Sequence, residues 1–241
     1  MARMAALNAN DLNLPKGIQS SRELPDPELG AIWDSIIIDE AVKSQLLSQA
    51  VLNFTVRAKA QRSVLPLHGV IFLVGSPGTG KTSLARGLAH RTAESFKNAK
   101  FRLLDVEPHM LTSSAMGKTQ RAVSELFSQA IAEAALMGPT IVLLDEVETL
   151  AADRSKMSLE ANPIDIHRAT DAVLVQLDVL AEQHHHLLFV ATSNFPQAVD
   201  TAFTSRCDPV VESPLPNKEA CGRILKDCLT GLAKPYPPIS K

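Results

Sequence analysis

Aromatic side chains are scarce in this sequence, at 4% of 241 residues, so its core must come mainly from Ala, Leu, Val and Ile. Cysteine is scarce too: Cys207, Cys221 and Cys228 are odd in number and lack CxxC spacing, which argues against a disulfide framework or a zinc site. Cys221 and Cys228 stand seven apart in an expected helix and read as one buried face. No apolar run reaches the ~18 residues a membrane-spanning helix needs, so no membrane partner is expected. The start, MARMAALNANDLNLP, lacks the continuous apolar stretch of a secretory signal. A formal charge of −2 shows no basic surplus, so no nucleic-acid partner is expected. A reduced cytoplasmic compartment fits all of this. His184, His185 and His186 have no carboxylate or thiol at ligand spacing, so a solvated loop is expected there.

What is present is ample apolar material, 45% of the chain, enough for a sizeable α/β core. Residues 1–30 are polar and dotted with Pro15, Pro25 and Pro27, and read as an extended N-terminal arm. Trp33 opens a short apolar stretch over 32–38, and a helical pattern follows over about 39–59, with Val42, Leu46, Leu47, Ala50 and Phe54 on one side. From Gly69 onward, apolar runs of strand length alternate with helical segments. The runs are VIFLV at 70–74, FRLLDV at 101–106, TIVLL at 140–144, LLFVAT at 187–192 and PVVE at 209–212. Helices are expected near 82–93, 119–135, 166–182 and 196–203. Continuous rather than alternating apolar runs indicate strands buried on both faces. Their alternation with helices predicts a parallel sheet with right-handed crossovers. One more helix begins near Asn217 and stops at KPYPPISK, whose prolines cannot continue it.

The first of these strands runs directly into Gly75, Ser76, Pro77, Gly78, Thr79, Gly80, Lys81 and Thr82, a full GxxxxGK[ST] match, with Ser83 behind it. Glycines let the loop turn its backbone N–H groups inward around phosphates, and the following helix presents its positive end to the same charge. Lys81 is expected to reach the β- and γ-phosphates of ATP, and the Thr82 hydroxyl to bind Mg²⁺. The third strand ends in Asp145 and Glu146. A carboxylate pair at that place suits a Mg²⁺-holding Asp145 and a water-polarising Glu146, though a helix cap is also a common use. Asn194, just past LLFVAT, is placed either to bond the γ-phosphate or lytic water, or to form a turn. Arg154, Arg168 and Arg206 all follow the nucleotide motifs. Spacing alone does not choose which of them would serve a neighbour's phosphate.

The chain resembles AAA+ ATPases, and within them the pachytene-checkpoint remodellers that act on HORMA-domain proteins. It is most similar to compact bacterial relatives in cyclic-nucleotide anti-phage signalling (CBASS) operons. The likeness covers most of residues 24–230: LPDPELGAIWDSIIIDEAVKSQLL, LLDEVETLAADRS, DIHRATDAVLVQLD, TSNFPQAVDTAFTSRCD and ILKDCL. GSPGTGKT and LLDE occur across the whole class, whereas the Trp33 segment and the single-arginine TSRCD are the specific parts.

This resemblance implies a P-loop NTPase of AAA+ fold, with a five-stranded parallel sheet flanked by helices and an incomplete C-terminal helical lid. The large α/β ATPase domain would span 31–215 and the beginning of the lid 216–241. It implies that the Asn194 strand lies between the two Walker strands, with Asn194 as sensor one. Arg206 would be the arginine finger acting across a ring interface, with Arg154 and Arg168 nearby. Backbone at Ile37, Ile38 and Asp39 would border the adenine. The homo-oligomer would be a hexamer that partly unfolds a HORMA-domain client and so strips it from a nucleotidyltransferase. Three departures stand out. The first pore loop falls at 112–118, with Ala115 and Met116 where many relatives have aromatics. No counterpart of the family's N-terminal adaptor-binding domain or of its sensor-two arginine is expected within these 241 residues. An unfoldase of another client, a nucleic-acid-associated loader and a nucleotide-gated scaffold are the alternative readings.

Overall fold

The structure is a computed structural model that describes residues 14–57, 59–60, 64–111, 118–153 and 163–233. The pore-loop residues Ala115 and Met116, Arg154 and the KPYPPISK tail lie outside the described residues.

The order of elements is β1 (Ile18–Leu24), α1 (Pro27–Ser35), α2 (Glu40–Leu52), β2 (Val70–Val74), α3 (Lys81–Glu94) and β3 (Phe101–Val106). There follow α4 (Lys118–Glu125), α5 (Ala132–Met137), β4 (Thr140–Leu144), α6 (Pro163–Gln183), β5 (Leu187–Ser193), α7 (Thr201–Thr204), β6 (Val210–Glu212) and α8 (Lys218–Ala233). The strands form one sheet in the order β1-β3-β4-β5-β2-β6. The five strands from β2 to β6 are parallel, and β5 lies between β2 and β4, where the resemblance placed it.

One strand more than expected is present. β1 pairs antiparallel with β3, Leu24 opposite Phe101, which makes the sheet six-stranded and mixed. The arm expected over residues 1–30 therefore carries sheet structure in its second half, and α1 starts at Pro27. The reason it escaped is physical. Only the two ends of IQSSREL, Ile18 and Leu24, are buried, so an edge strand of this kind has little apolar signature.

Alternation along the parallel strands divides the apolar residues between two cores. Val70, Phe72, Val142, Leu144, Phe189 and Ala191 face α6 and the π-helical turn that joins α4 to α5. Ile71, Leu73, Ile141, Leu143, Leu188 and Val190 face α1, α2 and α3. Burial on both sides explains the unbroken apolar runs. The few aromatics are concentrated inside: six of the eight phenylalanines are buried, with Phe72 edge-on to Phe203 and Phe127 stacked near Phe189. Helix α1 lies so close on α3 that a Cβ at Gly87 would sit 2.7 Å from Trp33 Cβ, which is why glycine is needed there.

Two helices differ from expectation in detail. The segment 196–203 is a 3₁₀ turn and the short α7 rather than one helix, because Asp200 caps Ala202 N–H and restarts the chain. Cys221 and Cys228 are exposed rather than buried. The apolar stripe of α8 has the right period, but Ile224, Leu225, Leu229 and Leu232 all remain open to solvent and no described element covers them.

Candidate functional site

The nucleotide-binding loop leaves the C-terminal end of β2, at the middle of the sheet. Gly78 and Gly80 both have φ near +80°, a conformation that opens the loop outward without a Cβ penalty. Gly80 stands as the N-cap of α3, so the unpaired N–H groups of that helix face the loop's hollow. The Lys81 ammonium folds back over this hollow and donates to Gly75 O at 2.9 Å and Ser76 O at 2.8 Å. Burial pushes the Lys81 pKa below its ordinary value, against the pull of Glu148, Asp145 and Glu146.

β4 delivers the carboxylates to the same place. Thr82 Oγ1 lies 2.9 Å and 3.0 Å from the two Asp145 oxygens, so a single O–H is shared between both. Thr192 Oγ1, on the neighbouring strand β5, donates to Asp145 Oδ1 and accepts from Glu146 N–H at 3.2 Å. Glu146 has φ +52°, and no other non-glycine described residue has a positive φ. Such a left-handed turn costs on the order of 1 kcal/mol or more, and it swings the side chain out of the strand's line. Its carboxylate then rests between Asn194 Nδ2, 3.1 Å from Oε1, and His109 Nε2, 3.3 Å from Oε2. The Asn194 backbone N–H donates to Glu148 Oε1 at 3.2 Å, fixing the turn from which Asn194 projects.

Lys81, Thr82, Asp145, Glu146 and Asn194 therefore converge, although they come from α3, β4 and the end of β5. Ile37, Ile38 and Asp39 line a separate, open cavity of about 470 Å³, bounded on the other side by Pro214, Leu215 and Arg223. This cavity adjoins the loop, because Ser213 N–H donates to Val74 O and Ser213 Oγ to Thr79 O. The Ile37–Asp39 backbone is steadied from below: Asp39 caps Ala41 N–H, and the buried Lys43 donates to Trp33 O at 3.0 Å.

Arg206 is elsewhere. Its neighbour Asp208 accepts from the N–H groups of His68, Gly69 and Val70, at the beginning of β2. The loop leaves the far end of that strand, roughly 16 Å away at ~3.3 Å per residue. Arg168 is exposed on α6. Sequence reasoning missed Thr192, Glu148 and His109. Thr192 alone carried a signal, since it stands two residues before Asn194 and so shares its side of the strand.

A phosphate-cradling loop and a paired carboxylate, side by side at the mouth of a parallel sheet, define a P-loop nucleotide-binding protein. The profile of the ATPase family associated with various cellular activities (AAA) matches residues 71–215, and the chain belongs to that family. It is 75% identical over 233 residues to CD-NTase-associated protein 6 of Pseudomonas aeruginosa, covering 97% of this chain and 77% of that protein. It is 32% identical to the human Pachytene checkpoint protein 2 homolog over 88% of this chain, and spans 50% of that relative's length. Among solved structures, C. elegans PCH-2 superposes with a TM-score of 0.75 at 28% identity, over 92% of this chain and 56% of that one. The E. coli MS115-1 HORMA:CdnC:Trip13 complex gives 0.77 at 21% identity, over 89% and 76%, a likeness of fold. No described helix is long and apolar enough to cross a membrane.

Proposed function

We propose that this chain hydrolyses ATP with Mg²⁺ to remodel a HORMA-domain protein, acting as a hexamer that frees the client from a nucleotidyltransferase and restrains anti-phage signalling. The observation that carries the reading is the convergence of Lys81, Thr82, Asp145 and Glu146 on one loop hollow. The client comes from the relatives: one is named for its association with a CD-NTase, and one related fold was solved together with HORMA and CdnC.

In this reading Lys81 exchanges Gly75 O and Ser76 O for β- and γ-phosphate oxygens, and its desolvation strengthens that contact. Thr82 and Asp145 offer the hard oxygen donors that suit Mg²⁺. A bound Mg²⁺ would neutralise charge on the phosphates. Glu146 takes the proton of the attacking water, and the Asn194 amide keeps its carboxylate aimed. Adenine lies between Ile37–Asp39 and the 214–216 segment. Arg206, too far from its own loop, reaches the γ-phosphate of an adjacent protomer, a contact worth ~10³–10⁵ in rate in such systems.

The experiment is disassembly of a purified HORMA–nucleotidyltransferase complex by the full-length protein, followed by size-exclusion chromatography. ATP should release the nucleotidyltransferase with wild-type protein and not with Lys81→Ala. A complex that survives wild-type protein and ATP intact would remove the proposed client.

A further inference from the structure

Arg206 is already occupied within its own protomer. Its Nε donates to Asp178 Oδ1 at 2.9 Å and its Nη2 to Asp178 Oδ2 at 2.7 Å, a bidentate pair from α7's end to α6. Its Nη1 donates to Ala202 O at 2.7 Å. An arginine has five N–H donors. Three are used here, which leaves one on each terminal nitrogen, side by side. Two parallel N–H groups at the tip of a guanidinium match two oxygens of a phosphate. The side chain as a whole is 23% exposed.

The mount extends further. His68 Nε2 lies 3.6 Å from Asp178 Oδ1. Asp208, two residues past Arg206, takes three backbone N–H groups at the beginning of β2, and its own N–H donates to Val70 O at 2.8 Å. The segment carrying Arg206 is thus bonded to the strand that ends in this protomer's own phosphate loop.

We propose that Asp178 is the positioning residue for Arg206: it holds the guanidinium by its inner edge, so that the outer edge meets the neighbouring protomer's γ-phosphate already oriented. Through Asp208 and His68 the same segment is also bonded to the beginning of β2. The proposal rests on the reading of Arg206 as a finger acting in trans. Fixing a long side chain in advance removes the rotamer entropy that would otherwise oppose the transition-state contact. The opposite possibility, a latch that must open before Arg206 can act, predicts an effect of opposite sign.

The test uses mixed rings of full-length protein. Glu146→Gln protomers supply a finger but no turnover of their own, and Arg206→Ala protomers supply a working site but no finger. Hydrolysis in the mixture, absent from either variant alone, measures the finger in trans. Replacing the donor by Glu146→Gln/Asp178→Asn should lower that hydrolysis about tenfold, and Glu146→Gln/Asp178→Glu should recover part of it. ATP affinity and melting temperature of the donors should be unchanged, which separates positioning from a loss of fold. Equal hydrolysis with the Asp178→Asn donor overturns the proposal, and higher hydrolysis makes Asp178 a latch. Failure of the parent mixture to hydrolyse ATP removes the trans role of Arg206 itself, and the role of Asp178 with it.

Discussion

The Asn194 side-chain amide donates to Glu146 Oε1 at 3.1 Å, so the residue past β5 is a partner of the carboxylate at the end of β4. Sequence reasoning offered Asn194 a direct contact with the γ-phosphate or the lytic water, or a turn. The observed contact is with Glu146, and under the proposed function its part is to aim that carboxylate. Asn194→Ala should lower kcat by roughly one to two orders of magnitude while KM for ATP changes little, as expected when an interaction counts mainly in the transition state. Steady-state kinetics check this, and a rise in KM at constant kcat would place Asn194 on the substrate instead.

Thr192 should matter more than its apolar surroundings suggest. Its hydroxyl holds both Asp145 Oδ1 and the N–H of the left-handed Glu146. Thr192→Val keeps the shape but leaves the Glu146 N–H unpaired and Asp145 Oδ1 with only its share of the Thr82 hydroxyl, at a cost of about 1–3 kcal/mol. The half-saturating Mg²⁺ concentration should rise and melting temperature should fall, whereas Thr192→Ser should behave as wild type. Identical Mg²⁺ titrations for Val and Ser would remove this role.

The cysteines should divide two to one. Burial, with Asp208 alongside, pushes the Cys207 thiol up to about 12. At pH 8 only ~1 in 10⁴ of it is thiolate, so it should stay inert to thiol reagents until the chain unfolds. What reaction there is should speed up about tenfold per pH unit and level off only near that value. Cys221 and Cys228 are exposed and should react at once in this chain. A thiol titration reading two fast groups, then a third in denaturant, is the expected result.

Much of this was legible in the chain because its signals are local. A strand running into Gly75–Lys81 and a strand ending in Asp145-Glu146 each announce themselves within twelve residues or fewer. The contacts among them are not local. Thr82 meets Asp145 across 63 positions and Arg206 meets Asp178 across 28, and no periodicity encodes such pairs. β1 was hidden because five of its seven residues are at least partly exposed. Spacing could not separate Arg206 from Arg168, and the difference lies in packing: one is gripped by a carboxylate and the other stands in solvent.

The most direct measurement is single-turnover hydrolysis by Glu146→Gln, with bound ATP counted in the same sample. Glutamine keeps the contact with Asn194 possible but cannot take a proton from water. ATP and Mg²⁺ binding should stay close to wild type, with cleavage slowed by ~10²–10⁴. Cleavage at the wild-type rate would contradict the role given to Glu146.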